Sequence, residues 1–77
     1  MQMKDDQLVS IIDKSFDAYA LVQNLKRLKR KGYRYVQYGD EHINIGKLMW
    51  HIVDMSKMHY SFEHITHELL IERSFYD

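Results

Sequence analysis

Residues 32–46 read Gly32-Tyr33-Arg34-Tyr35-Val36-Gln37-Tyr38-Gly39-Asp40-Glu41-His42-Ile43-Asn44-Ile45-Gly46. This stretch decides the fold, because it holds all three glycines of a chain that has no proline. The usual breakers of regular structure are therefore concentrated in the middle and missing from both flanks. Tyrosine and valine favour strands, and Gly39-Asp40 between two such runs fits a two-residue turn of type II′, with glycine first. Ile43 and Ile45 alternate with His42 and Asn44, as a half-buried strand requires. A hairpin is expected over residues 33–45. A lone two-stranded hairpin is marginal in water, so it must pack on a helix or pair with another chain.

The flank before the hairpin runs from about Asp5 to Lys31. Asp5, Asp6 and Asp13 lie near its start, while Lys26, Arg27, Lys29, Arg30 and Lys31 crowd its end. That order complements a helix dipole. Gly32 follows where a left-handed C-terminal cap belongs. Leu8, Ile11, Ile12, Phe16, Tyr19, Val22, Leu25 and Leu28 recur three or four apart, the helical period. The stripe is broad, because Leu21 and Leu28 lie well round from Ile12 and Phe16. A broad stripe means either two contact surfaces on one long helix or a break near Ser15.

The flank after the hairpin runs from about Gly46 to Ser74, with Asn44 placed to cap it. Leu48, Met55, Phe62 and Leu69 fall seven apart, and so do Met58 and Ile65, a heptad-like seam. Together with Ile52 they share one face of a continuous helix. A break at Tyr60-Ser61, with Ser61 capping a second helix, is the rival. Unbroken helices of such length would span roughly 40 Å, more than the width of a compact chain of this size. The helices are thus broken, or the molecule is an elongated hairpin whose wet stripes a second copy covers as a dimeric helical bundle. The expected architecture is mainly α with a small β-hairpin, in the order α–β–β–α. It has a long N-terminal helix and a long or broken C-terminal one, in a single domain over 1–77, with homodimerisation expected.

Composition narrows the activities. The 77 residues carry 11 basic and 11 acidic side chains, a formal net charge of zero, which removes a global electrostatic pull toward nucleic acid or membrane. There is no cysteine, hence no disulfide framework, no CxxC metal site and no thiol nucleophile. With no signal-peptide pattern and no long apolar run, a soluble cytoplasmic protein is expected, with no membrane association. Glycine is too scarce for a phosphate-cradling loop or a dinucleotide fold, and no nucleophile motif appears, so no enzyme, no catalytic residue and no cofactor are expected.

Two sets of residues stand out as binding candidates. The first is Lys26, Arg27, Lys29, Arg30, Lys31, Tyr33, Arg34 and Tyr35, in which six of the 11 basic residues fall within nine positions and tyrosines follow at once. Basic charge interleaved with aromatics can hold phosphates and stack bases, or dock an acidic protein surface; it can also simply complement a helix end. Residues 5–17 carry four of the acids and residues 54–77 carry five, so the chain is dipolar despite its zero total. The second set is Met49, Trp50, Val53 and Tyr60 on a face of the second helix, where Met, Trp and Tyr are types common on adaptable binding surfaces.

His59, His64 and His67 stand among Glu63 and Glu68 at i,i+3 and i,i+4 spacings. The helical two-histidine zinc motif is absent, so these read as ordinary side-chain pairs and no metal site is expected. His51 and His59 both fall on the apolar stripe of a continuous second helix. Residues 51–70 admit one further reading. Tyr60-Ser61-Phe62-Glu63-His64-Ile65-Thr66-His67-Glu68-Leu69 resembles the turn and recognition helix of bacterial helix-turn-helix repressors, with Ser61 opening the second helix and Met58 before the turn. The resemblance covers about a quarter of the chain and implies DNA binding. His59 stands where a glycine is common and Met55 where a small residue is common, and Glu63, Glu68 and Glu72 lie on the would-be reading helix, where they repel phosphates. The reading that accommodates most of these features is a small non-enzymatic regulator or adaptor that binds another protein through helix faces. Nucleic-acid binding through residues 26–35 is the alternative.

Overall fold

The structure, a computed structural model, describes residues 7–72; the acids expected to open the first helix, Asp5 and Asp6, and the end of the second flank at Arg73 and Ser74 lie outside them. The element order is α1 (Gln7–Asp13), α2 (Ala18–Arg30), β1 (Tyr35–Tyr38), β2 (Glu41–Asn44), α3 (Ile45–Lys57), α4 (Phe62–His67) and a closing π-helical turn (Glu68–Glu72). The protein is mainly helical with one antiparallel hairpin.

The N-terminal flank is two helices rather than one long one, and the reason is local. Asp17 is extended, and its carboxylate accepts a hydrogen bond from the Ala20 N–H, which caps and starts α2. Ser15 closes α1: its backbone N–H donates to the Ile12 carbonyl and its hydroxyl donates to the Ile11 carbonyl at 2.7 Å. Asn24 Nδ2 on α2 then donates to Ser15 Oγ at 2.9 Å, tying the corner across the break. Phe16, grouped with the buried stripe on a continuous helix, falls in the corner and is 85% exposed.

α2 ends as Gly32 predicts. The Tyr33 N–H donates to the Leu28 carbonyl and the Gly32 N–H to the Lys29 carbonyl, with Gly32 at φ 103°, the paired bonds of a Schellman cap. The hairpin pairs Tyr35 with Asn44, Val36 with Ile43, Gln37 with His42 and Tyr38 with Glu41. Gly39 has φ 62° and Asp40 does not share the positive φ, the type II′ pattern. Val36 and Ile43 face the core together. β1 leans on α1, where Gln7 Oε1 accepts from the Gln37 N–H at 2.9 Å. β2 runs into α3 without a loop, and Asn44 serves both elements, its side chain accepting from the Lys47 N–H.

The second flank is also broken, at the rival position. α3 closes with a second Schellman pair, from the Tyr60 N–H to the Met55 carbonyl and the His59 N–H to the Ser56 carbonyl. His59 takes the left-handed conformation (φ 65°) usually left to glycine. Ser61 caps α4 by accepting from the His64 N–H. The break alters the seam read from a continuous helix: Leu48, Ile52, Met55, Ile65 and Leu69 are buried and Phe62 half-buried, whereas Met58 and His59 sit exposed in the turn. Tyr38 Oη donates to the Leu70 carbonyl at 2.7 Å, fastening the hairpin tip to the π-helical turn.

One core unites Leu8 and Ile12 of α1, Leu21 and Leu25 of α2, the hairpin pair and the buried residues of α3, α4 and the closing turn. With four short helices the described residues fit in 39 × 27 × 26 Å. Apart from exposed Met58 and half-buried Phe62, the seam that argued for a dimer is thus buried within a single chain.

Candidate nucleic-acid or protein interface

α2 and α3 pack side by side and antiparallel: Lys29 at the end of α2 lines one hollow with Gly46 at the start of α3, and Ala18 lines another with Ser56 and Lys57. Each helix turns one row inward. On α2 the core row is Leu21 and Leu25, flanked by half-buried Ala18 and Leu28; on α3 it is Leu48, Ile52 and Met55. The next row of each helix, about a third of a turn round, stays at the surface and lines a groove between them.

The groove consists of two adjoining hollows of about 440 and 370 Å³ that share Val22, Lys26 and Val53. Its α2 wall is built from Tyr19, Val22, Lys26 and Lys29, spaced three, four and three apart. Its α3 wall carries Met49, Trp50 and Val53, with Lys57 at the far end. Val22, Met49 and Val53 are half-buried and form the floor. Tyr19 and Trp50 are 73% and 67% exposed and stand up from it. No groove-lining residue is acidic, and residues 18–39 contain no Asp or Glu at all. His64 and Glu68 form an ion pair at 3.6 Å, and among the described residues Lys26, Lys29 and Lys57 face the groove without a carboxylate partner.

The structure joins parts of the two candidate sets. Met49, Trp50 and Val53 share the groove with Lys26 and Lys29. Tyr60 is separate: it lies in the turn after α3, is 42% exposed, and meets His64 edge to face at 4.4 Å. Arg27, Arg30, Lys31, Tyr33, Arg34 and Tyr35 are exposed around the end of α2 and the start of β1, outside the groove. Tyr19 and Val22 were read as part of one core stripe, and their place on the groove is a correction; the breadth of that stripe was the available signal. Lys57 carried no signal in the sequence.

The 51–70 segment does fold as helix, turn and helix, with left-handed His59 where repressors commonly have glycine. Its second helix has only six residues, and Ile65 and Leu69 are buried in the core. What it offers to solvent is Glu63, His64 and His67. Among the described residues no group of three His, Asp or Glu side chains is placed to hold a metal ion, and none of the helices described is long and apolar enough to cross a membrane. Compared with known proteins, the chain matches no family model, and no curated protein or solved structure shows significant similarity to it.

Proposed function

We propose that this protein is a small non-enzymatic regulator or adaptor that binds another protein in the α2–α3 groove. The observation that supports this reading is the groove itself, an apolar floor under exposed Tyr19 and Trp50 with unpartnered lysines on its rim. Large exposed aromatics over an apolar floor are the usual anchors of a protein interface, and rim charges speed association and select partners of opposite sign. In this reading Met49, Trp50 and Val53 supply affinity while Lys26 and Lys29 steer an acidic partner. A reducing, cytoplasmic setting belongs to the proposal, on the ground that the chain has no cysteine. Self-association, expected from the heptad seam, would have to use another surface now that the seam is buried; a light-scattering mass of 9.4 kDa or twice that decides it.

Nucleic-acid binding is the second reading. Its support is the exposed cluster of Arg27, Arg30, Lys31 and Arg34 beside half-exposed Tyr33 and Tyr35. A photo-cross-linking amino acid placed in turn at Gln23, which lines the groove, and at Arg30, in the cell, separates the two. A discrete protein adduct from position 23, lost when Lys26 and Lys29 are changed to Glu, is the expected result. Nucleic-acid adducts from position 30, with none to protein from position 23, would overturn the first reading in favour of the second.

A further inference from the structure

The kind of partner segment follows from how the groove is made, and this inference rests on the protein-binding reading above. We infer that the groove takes an acidic amphipathic α-helix of about three turns, lying between α2 and α3 as a third helix.

Length comes first. Each wall runs over the same span, residues 18–29 on α2 and 46–57 on α3, which is about 16 Å at the helical rise. A partner helix of roughly 11 residues covers it. Backbone chemistry comes next. Both walls are helices, whose own N–H and C=O groups are bonded within each helix along most of their length. A strand laid in this groove would bury its amides against side chains with nothing to pair them, at a cost for each. A helix satisfies its own amides and can present bare side chains to the floor. The hollow between two packed helices also offers grooves into which the side-chain ridges of a third helix fit.

Charge selects the sequence of that helix. Lys29 stands at one end of the groove, Lys26 where the two hollows join and Lys57 at the other end, with no acidic side chain lining it. Acids on the flanks of the partner would meet these lysines, while apolar residues at i, i+3 or i+4, and i+7 would fill the two hollows around shared Val22 and Val53. A second copy docked groove to groove would set Lys26, Lys29 and Lys57 against their own counterparts, which disfavours it. Nucleic acid would place phosphates over a floor of Val22, Met49 and Val53, which has no donors for them.

The test is a selection from displayed random peptides of roughly 16 residues on the full-length protein alone, the enriched peptides then being assayed against the Trp50→Ala and Lys26→Glu/Lys29→Glu variants. Far-UV circular dichroism first establishes that both variants fold. The enriched peptides are expected to be net acidic with apolar residues at helical spacing. Synthesised, the best of them should gain helicity on binding and shift the emission of Trp50, the one tryptophan. It should also bind at least about tenfold more weakly to Trp50→Ala, or when a proline is placed at its centre. Trp50-dependent peptides that are basic, or that tolerate the central proline, would overturn the helix inference and leave the groove as a protein-binding site. Enriched peptides indifferent to Trp50→Ala, or a Trp50 shift produced by a short DNA duplex and by no peptide, would overturn the groove reading as well.

Discussion

Replacing His59 by glycine should make the protein more stable. His59 lies at the end of α3 with φ 65°, where its N–H donates to the Ser56 carbonyl as part of the Schellman cap. An L-residue held there costs about 1–2 kcal/mol, because Cβ crowds the following carbonyl. Glycine lacks that cost but adds freedom to the unfolded chain, which offsets about 0.4–1 kcal/mol. The imidazole is exposed, and the edge-to-face ring pair nearby is Tyr60 with His64, so no ring contact is lost. The balance is a gain of about 0.5–1 kcal/mol, or roughly 2–8 °C in Tm for a domain of this size. Urea and thermal unfolding followed by circular dichroism measure it, with His59→Ala as the control that removes the ring and keeps Cβ. Glycine should exceed alanine by nearly the whole gain. Equal stability of the two variants, or a loss on going to glycine, would refute the left-handed cap and with it the turn that separates α3 from α4.

The remaining predictions concern other joints of the fold and the groove. Tyr38→Phe removes the hydroxyl that donates to the Leu70 carbonyl and should destabilise by about 0.5–1.5 kcal/mol; an unshifted urea midpoint would mean that the hairpin tip does not hold the closing turn. Asp17→Ala removes the cap of α2 and should cost about 0.5–2 kcal/mol, while Asp13→Ala at the exposed end of α1 serves as the comparison. Trp50→Ala should leave the unfolding midpoint within about 0.5 kcal/mol of the parent, since the side chain is 67% exposed. A large loss of stability there would show that Trp50 is a structural residue and not a binding one.

Much of this architecture was legible because small, local devices mark it in the residues. Gly32, Gly39 and Asn44 each do in the structure what their chemistry requires: one closes a helix, one turns a hairpin, one opens a helix. The helix breaks were legible only as alternatives. Nothing in residues 14–17 forbids a helix; the local caps at Ser15 and Asp17 make the break, and the Asn24 bond to Ser15 Oγ with the burial of Leu21 and Leu25 in the shared core holds it in place. His59 was harder still, since a non-glycine residue in the left-handed region gives no signal in composition. The groove was half legible. Met49, Trp50 and Val53 declare themselves by type, and Lys26 and Lys29 by clustering. That they meet depends on the antiparallel packing of α2 against α3, which local periodicity does not specify. Tyr60 resembles Trp50 only in type, and the turn at residues 58–61 parts them.

The junction between β2 and α3 has a mechanical consequence. Asn44 ends the strand and Ile45 begins the helix, and the Ile45 N–H donates to the Arg34 carbonyl at 2.9 Å, so the ladder of the hairpin reaches into the first residue of α3. There is no swivel at this point. α3 is a rigid extension of the hairpin, and its wall of the groove has a direction fixed by the twist of two strands. α2 is joined differently, through the four residues Lys31–Arg34 with Gly32 among them, and at its other end through the corner at Ser15. The two walls of the groove are therefore set by different means: the one bearing Met49, Trp50 and Val53 takes its direction from the hairpin, and the one bearing Tyr19, Val22 and the lysines takes its place from Leu21 and Leu25 in the core and the tie at Ser15.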